Sequence, residues 1–149
     1  MNQIAEKTAY ALKDKYPGIH FNASCVEAPQ NKVKSILVYF NFNTKVLVDE
    51  ARPILADVTS EFIKQVNLNH KIQEYLYAPP FTIKNLDTAI LFQKNCEKLY
   101  HIPYLIHAVS LSEKLKYTGM GKKDEFDYQV VKRETFDEAL ILLKKQSSS

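Results

Sequence analysis

The side chains best suited to acid–base, nucleophilic or metal chemistry are spread over the whole sequence. Cys96 and His101 lie five residues apart, beside Glu97. A cysteine nucleophile needs a base within hydrogen-bond reach and a third group that orients the base. A shared polar connector does not supply that geometry, so we predict no catalytic residue here. The four histidines lie in four different segments: His20, His70, His101 and His107. They lack the close spacing of zinc ligands, so we predict no metal and no cofactor.

Two further patterns have simpler structural explanations. Asp57 and Glu61 are four residues apart, so that they would share one face of a helix, where a solvated acidic surface accounts for them. Gly119-Met120-Gly121 lacks the third glycine and the strand-then-helix context of a dinucleotide fingerprint. We interpret it as the tip of a hairpin.

Composition narrows the class of protein. The chain has 149 residues, of which 46% are hydrophobic and 25% charged, as is typical of a globular domain with a substantial core. The net charge is only +3, and the bases of residues 113–134 are interleaved with acids, which predicts a solvated mixed-charge surface. Nucleic acid is therefore not an expected partner. We predict one domain over residues 1–146, followed by a polar tail at 147–149.

The number of cysteines and the length of the apolar runs indicate where in the cell the protein is found. The sequence has two cysteines, too few for a disulfide framework. Cys25 alternates with Phe21 and Ala23, which predicts a buried thiol, whereas Cys96 lies in a polar connector. No apolar run is long enough to span a bilayer, and the N-terminus lacks a secretory signal. We expect a cytoplasmic protein; export with a removed signal stays open.

The hydrophobic periods define the elements. Residues 3–15 form an amphipathic helix that Pro17-Gly18 ends, and residues 51–66 keep helical spacing after an N-cap at Asp49. A short helix over Lys71–Tyr77 follows. Thr135 and Glu138 form a capping box that begins the last helix. Five segments read as strands: 19–26, 33–42, 86–92, 104–112 (with an extension to 117 left open) and 126–130.

The order is therefore α-β-β-α-(α)-β-β-β-α. Every direct strand–strand link is short enough for a hairpin, and no regular βαβ alternation is evident. We predict an α+β fold with a five-stranded, mostly antiparallel sheet and helices packed chiefly on one face.

Aromatic side chains are the strongest candidates for a functional surface. Residues 75–81, Tyr-Leu-Tyr-Ala-Pro-Pro-Phe, form a stiff apolar connector that either plugs an edge of the core or offers a docking ridge. We favour the core plug, because Leu76 and Phe81 require burial. Tyrosine with one solvated end is enriched at binding surfaces. The predicted partner-binding residues are Tyr75, Tyr77, Pro79, Pro80, Tyr100 and Tyr104.

Residues 66–76, followed by Pro80-Phe81-Thr82 and Asn85-Leu86, resemble a motif in a family of small uncharacterised bacterial proteins. The resemblance covers about twenty residues and implies a bacterial source but no activity. The order of helices and strands is also similar to that of the class I chaperones of type III secretion, although fold analogy does not transfer function.

Two hypotheses follow. The first is a non-enzymatic interaction or chaperone-like module that binds a protein partner, or a second copy as a homodimer, through a sheet face or the Tyr/Pro connector. The alternative is a small enzyme whose site is assembled from His101, His107, Cys96 and Glu113.

Overall fold

The computed structural model describes residues 1–92, 100–124 and 126–148. Six strands form one sheet in the order β1 to β6. Their bounds are His20–Glu27, Ser35–Asn41, Leu86–Leu91, Leu105–Leu111, Lys114–Met120 and Tyr128–Thr135. The helices are α1 (Asn2–Leu12), α2 (Val48–Leu68), α3 (His70–Gln73) and α4 (Phe136–Ser147), with short 3-10 turns at Pro29–Asn31 and Ile83–Asn85.

The α+β class and the element order are confirmed, but the strand count is wrong. The predicted strand 104–112 corresponds to β4, and its open extension to 117 belongs to a separate strand, β5, joined to β4 by a two-residue turn at Ser112 and Glu113. Both residues have positive φ, 46° and 75°. Such turns are normally signalled by Asn-Gly or Asp-Gly. Neither turn residue is a glycine, so the sequence carries no such signal. The interpretation of Gly119-Met120-Gly121 as a hairpin tip is wrong, because β5 continues through Met120.

The sheet is mixed: it is mostly antiparallel but contains one parallel pair. Strands β2 and β3 pair in parallel, with Val38 opposite Thr88, while the other four pairings are antiparallel. Because parallel neighbours need a crossover, α2 serves as the connection of a single βαβ unit. One such unit leaves no repeating pattern in the sequence.

Helices α1, α2 and α4 pack on one face of the sheet. Ile36, Val38 and Phe40 of β2 are buried beneath them, together with Leu55 and Phe62 of α2. Helix α2 begins one residue before the predicted N-cap, so that Pro53 lies inside the helix. The capping box of α4 is confirmed, and α4 extends through Ser147, the first residue of the predicted tail. No helix in the described part of the chain is long and apolar enough to cross a bilayer.

Candidate functional site

The face of the sheet opposite α1, α2 and α4 carries the candidate site, and we call it the open face. Side chains alternate across a strand. Because Ile36, Val38 and Phe40 point towards the helices, Leu37 and Tyr39 point the other way, where both are half-buried. None of the described helices packs on this side.

Strand register extends the open face across the sheet as one row of side chains. Tyr39 lies opposite Ala89, Ala89 opposite Val109, Val109 opposite Lys116 and Lys116 opposite Arg133. The row therefore changes from apolar on β2–β4 to basic on β5 and β6. Neighbouring rows of the same face add Leu37, Asp87, Leu111 and Lys114 on one side, and Asn41, Leu91, His107 and Thr118 on the other.

The cations at the basic end of the open face form no ion pair among the described residues, although Glu134 and Glu138 line the same pocket. Lys116 and Arg133 are directly opposite each other, an arrangement of like charges that destabilises a sheet. In residues 1–92, 100–124 and 126–148, neither they nor Lys114 forms an ion pair. These three residues and Leu111 line a pocket of about 390 Å³. The Glu138 carboxylate, also in the lining, accepts a hydrogen bond from the Thr135 N–H.

The acidic groups of the same face are already engaged. The Asp87 Oδ1 atom accepts the Ser112 N–H at 2.9 Å. Glu27, at the β1 end, accepts the Ser35 hydroxyl at 2.8 Å and pairs with Lys34. Among the described residues, the charged groups of this face that form no ion pair or hydrogen bond are therefore the positive ones.

His107 lies on this face between the apolar and basic parts. Partial burial lowers the pKa of His107, and the positive charge of Lys116 lowers it further. At neutral pH the ring is uncharged, as expected for a half-buried sheet histidine. It therefore adds polarity to the site without adding to its charge.

A β-bulge decides the exposure of Cys25. The pairing of β1 with β2 shifts between Phe21 and Ala23, so that Ala23 and Cys25 point to the open face while Phe21 points to the helices. Cys25 is exposed, and the prediction of a buried thiol is wrong. The alternation rule fails here because a bulge inserts one extra residue.

A second polar cluster is enclosed in the core. Arg52 of α2 donates from Nε to the Glu134 Oε1 atom at 2.9 Å, and both side chains are 2% exposed. Its Nη1 atom donates to the exposed Asp49 carboxylate at 2.7 Å. Tyr117 is fully buried beside the pair, and burial together with the charge of Glu134 raises the pKa of its hydroxyl far above the usual range.

This cluster links elements rather than forming an accessible site. Among the described residues, four buried side-chain oxygens lack a hydrogen-bond partner, on Ser110, Tyr117, Thr118 and Glu134. The atoms are closed to solvent, so a ligand could not reach them without a movement of the surrounding structure. The sequence analysis placed Glu134 on a solvated surface, which is wrong. The missed signal was Arg52, in helical register with the buried side of α2 at Leu55 and Thr59.

The predicted aromatic residues divide between opposite ends of the sheet. Tyr75 and Tyr77 are 56% and 61% exposed on either side of the buried Leu76, whose segment bridges to Val33 just before β2. Leu76 and Phe81 fill the core, as the core-plug alternative predicted. Pro79 and Pro80, joined by a cis peptide bond, are exposed in the connector.

Tyr100 and Tyr104 lie near the other end of β2. The Lys45 Nζ atom is 5.7 Å from the Tyr100 ring centroid and 5.0 Å from that of Tyr104. Leu105, next to Tyr104, donates its N–H to the Val46 carbonyl at 3.0 Å. Val33 and Asn41 are separated by roughly 26 Å along an extended strand. The two tyrosine pairs therefore do not form one surface.

Two of the residues proposed for an enzyme site, His101 and Glu113, lie at opposite ends of β5. His101 bridges to Met120 at one end of β5, whereas Glu113 lies in the turn at the other end, roughly 20 Å away along the strand. Cys96 lies outside the described residues. Within those residues no group of three or more His, Cys, Asp or Glu side chains is placed to hold a metal ion. Asp57, one of the two helix carboxylates discussed in the sequence analysis, accepts hydrogen bonds from Lys15 and Tyr16 at 2.7 Å and 2.5 Å.

Comparisons of the chain with protein-family models, with curated proteins and with solved structures found no match.

Proposed function

We propose that this chain is a non-enzymatic, chaperone-like binding protein that holds a segment of a partner protein on its open face. The observation that supports the proposal is the row from Tyr39 through Val109 to Arg133. It presents half-buried apolar side chains, Tyr39 and Val109, beside basic ones on a sheet face that no described helix covers. Contiguous exposed apolar surface rimmed by polar groups is typical of protein interaction sites.

The size of the open face favours a segment over a globular partner. Six strands spaced about 4.8 Å apart, each about seven residues long, give a face of roughly 24 Å by 23 Å. A stable interface between two globular proteins buries about 800 Å² on each side. The open face alone is smaller than that, whereas an extended or helical segment would lie across it.

The edges of the sheet favour docking on the face. Strand β1 is bulged near Asn22, and β6 is bulged near Val131. Strand β6 also carries Lys132 and Arg133 at its exposed edge. Bulges and edge lysines are devices that discourage the addition of a further strand. A homodimer formed by joining sheet edges is therefore the less favoured form of self-association.

Site-specific photocrosslinking in cells that make the protein natively would test the proposal. Benzoylphenylalanine would replace Tyr39 or Val109 on the open face, and Ser60 or Lys64 on the exposed side of α2 as matched controls. We expect one or more discrete protein adducts from positions 39 and 109, and none of the same adducts from the controls.

The adduct pattern decides the outcome. Identical adducts from open-face and α2 positions, or adducts from α2 alone, would contradict binding at the open face. An adduct of exactly twice the chain mass would instead identify a homodimer. Because the two thiols favour a reducing compartment, we also expect the partner among cytoplasmic proteins.

A further inference from the structure

The basic end of the open face is electrostatically incomplete. Lys116 and Arg133 face each other across β5 and β6, and Lys114 lies two residues before Lys116 on the same face. The three cations have no ion-pair partner among the described residues, while the acids Asp87 and Glu27 are occupied elsewhere. Like charges directly opposite each other cost stability, so an external anion would relieve the repulsion.

We propose that Lys114, Lys116 and Arg133 form a subsite for carboxylate side chains of the bound protein segment. This proposal rests on the proposed function and makes it more specific: the partner segment carries Asp or Glu beside large apolar residues. The pocket of about 390 Å³ is lined by the three cations and Leu111. Two carboxylates also line it: Glu134, which is paired with Arg52, and Glu138, which accepts the Thr135 N–H. The row continues through Val109 to the apolar part of the face. A segment with alternating chemistry would satisfy both parts at once.

The apolar neighbours distinguish a protein segment from nucleic acid. Phosphate binding by a sheet usually combines a basic surface with exposed aromatic rings on which bases stack. The register places two tyrosines on the open face, and neither is beside the cations. Tyr39 on β2 is three strands away from Lys116, with Ala89 and Val109 between them, and Tyr128 is roughly 16 Å from Arg133 along β6. Small aliphatic side chains are suited to leucine or valine rather than to a nucleobase.

A displayed library of random dodecapeptides, selected against the whole chain, would test the subsite. Enriched peptides would be synthesised with a fluorescent label, and their Kd measured by anisotropy at several NaCl concentrations. The subsite variant is the double substitution Lys116→Gln and Arg133→Gln. The matched control is Lys122→Gln and Lys123→Gln, which removes the same charge from the exposed turn after β5.

We expect the enriched peptides to contain acidic residues next to large apolar ones. The subsite variant should weaken their binding at least about tenfold, a loss of about 1.4 kcal/mol, whereas the control should stay within twofold. The melting temperature of the subsite variant should not fall below that of the unchanged protein, because its substitutions remove the repulsion between Lys116 and Arg133. Salt should weaken binding to the unchanged protein more than binding to the subsite variant.

The possible failures are distinguishable. Peptides that lack acidic residues, or that bind the subsite variant normally yet lose affinity when Val109 is changed to Ser, would overturn the subsite and leave the open face as the binding surface. Peptides indifferent to both changes, or no enrichment at all, would contradict the proposed function as well. Stronger binding by a single-stranded RNA dodecamer than by any selected peptide would also overturn the proposal.

Discussion

At the scale of single residues, the properties of each side chain on the open face depend on the neighbours that strand pairing places beside it. His107 is half-buried and diagonal to Lys116, and both circumstances disfavour its charged form. Cys25 is exposed because one extra residue in β1 reverses the alternation. Neither property follows from the residue type alone.

His107 should report directly on the charge of Lys116. Replacing Lys116 by Gln removes one of the two causes that lower the pKa of His107, so we expect this pKa to rise towards 6.5. Titration of the ring protons by NMR measures it, with Lys122→Gln as the control that should leave the value unchanged. A lower or unaltered pKa in the Lys116 variant would mean that burial acts alone.

The same histidine gives stability a pH dependence of known sign. Its pKa is lower in the folded protein than in the unfolded chain, so the unfolded chain binds the proton at higher pH. Stability should therefore fall as the pH drops below about 6.5. In urea unfolding at pH 7.5 and 5.5, His107→Gln should show a smaller loss than the unchanged protein, and an equal loss would refute the assignment.

Cys25 should react in the native state. With Cys96 changed to Ser so that one thiol remains, we expect Cys25 to react with a thiol reagent at a rate close to that of the urea-unfolded chain, because it is exposed. Absorbance of the released chromophore measures the rate. A native rate a hundredfold slower would mean that β1 lacks the bulge.

At the scale of elements, the buried ion pair joins parts of the chain that are far apart in sequence. Arg52 in the second turn of α2 reaches Glu134, the last residue but one of β6, directly before the N-cap of α4. The pair therefore connects the crossover helix to the edge strand and the last helix. It also places two full charges in a region from which water is excluded, where each needs the other.

Breaking this pair should be costly. Replacing Arg52 by Met leaves the Glu134 charge buried without its partner, and we expect the free energy of unfolding to fall by about 3–5 kcal/mol. Adding Glu134→Leu should restore most of the loss, since no buried charge then remains. Denaturant unfolding of both single variants and the double variant measures the coupling. Additive losses would show that the two charges do not interact.

At the scale of the whole molecule, two buried tyrosines link the helical layer to the rest of the structure. Tyr16, after α1, donates to the Asp57 carboxylate of α2, and Tyr117 of β5 lies beneath α2 next to Glu134. Burial raises the pKa of both hydroxyls above 10, and the neighbouring carboxylates raise them further. The folded state is therefore stable only while both hydroxyls keep their protons.

Alkaline unfolding should follow from these two groups. The unfolded chain loses the phenolic protons near pH 10, before the folded protein does, so stability should decline as the pH rises above that value. Each tyrosine contributes up to about 1.4 kcal/mol per pH unit. Thermal unfolding between pH 9 and 11 should show a shallower decline for Tyr16→Phe, whereas Tyr10→Phe, an exposed control, should match the unchanged protein.

The sequence by itself determined the local elements. Amphipathic periods located α1 and α2, the Thr135–Glu138 capping box located the start of α4, and alternation located most of the strands. It also predicted that Leu76 and Phe81 belong to the core. These features depend on residues within one or two turns of each other, so that a single chain segment contains the whole signal.

Only the tertiary structure decided what depends on pairing between distant segments. The Ser112–Glu113 turn, the parallel β2–β3 pair and the bulge before Cys25 each depend on which strand lies alongside, and no local pattern encodes that choice. The candidate site is of the same kind. Tyr39, Val109, Lys116 and Arg133 form one row because four strand registers align them, although they span 95 positions of the chain. A half-buried apolar residue and an unpaired cation look ordinary in sequence; their adjacency on an uncovered face makes them a binding surface.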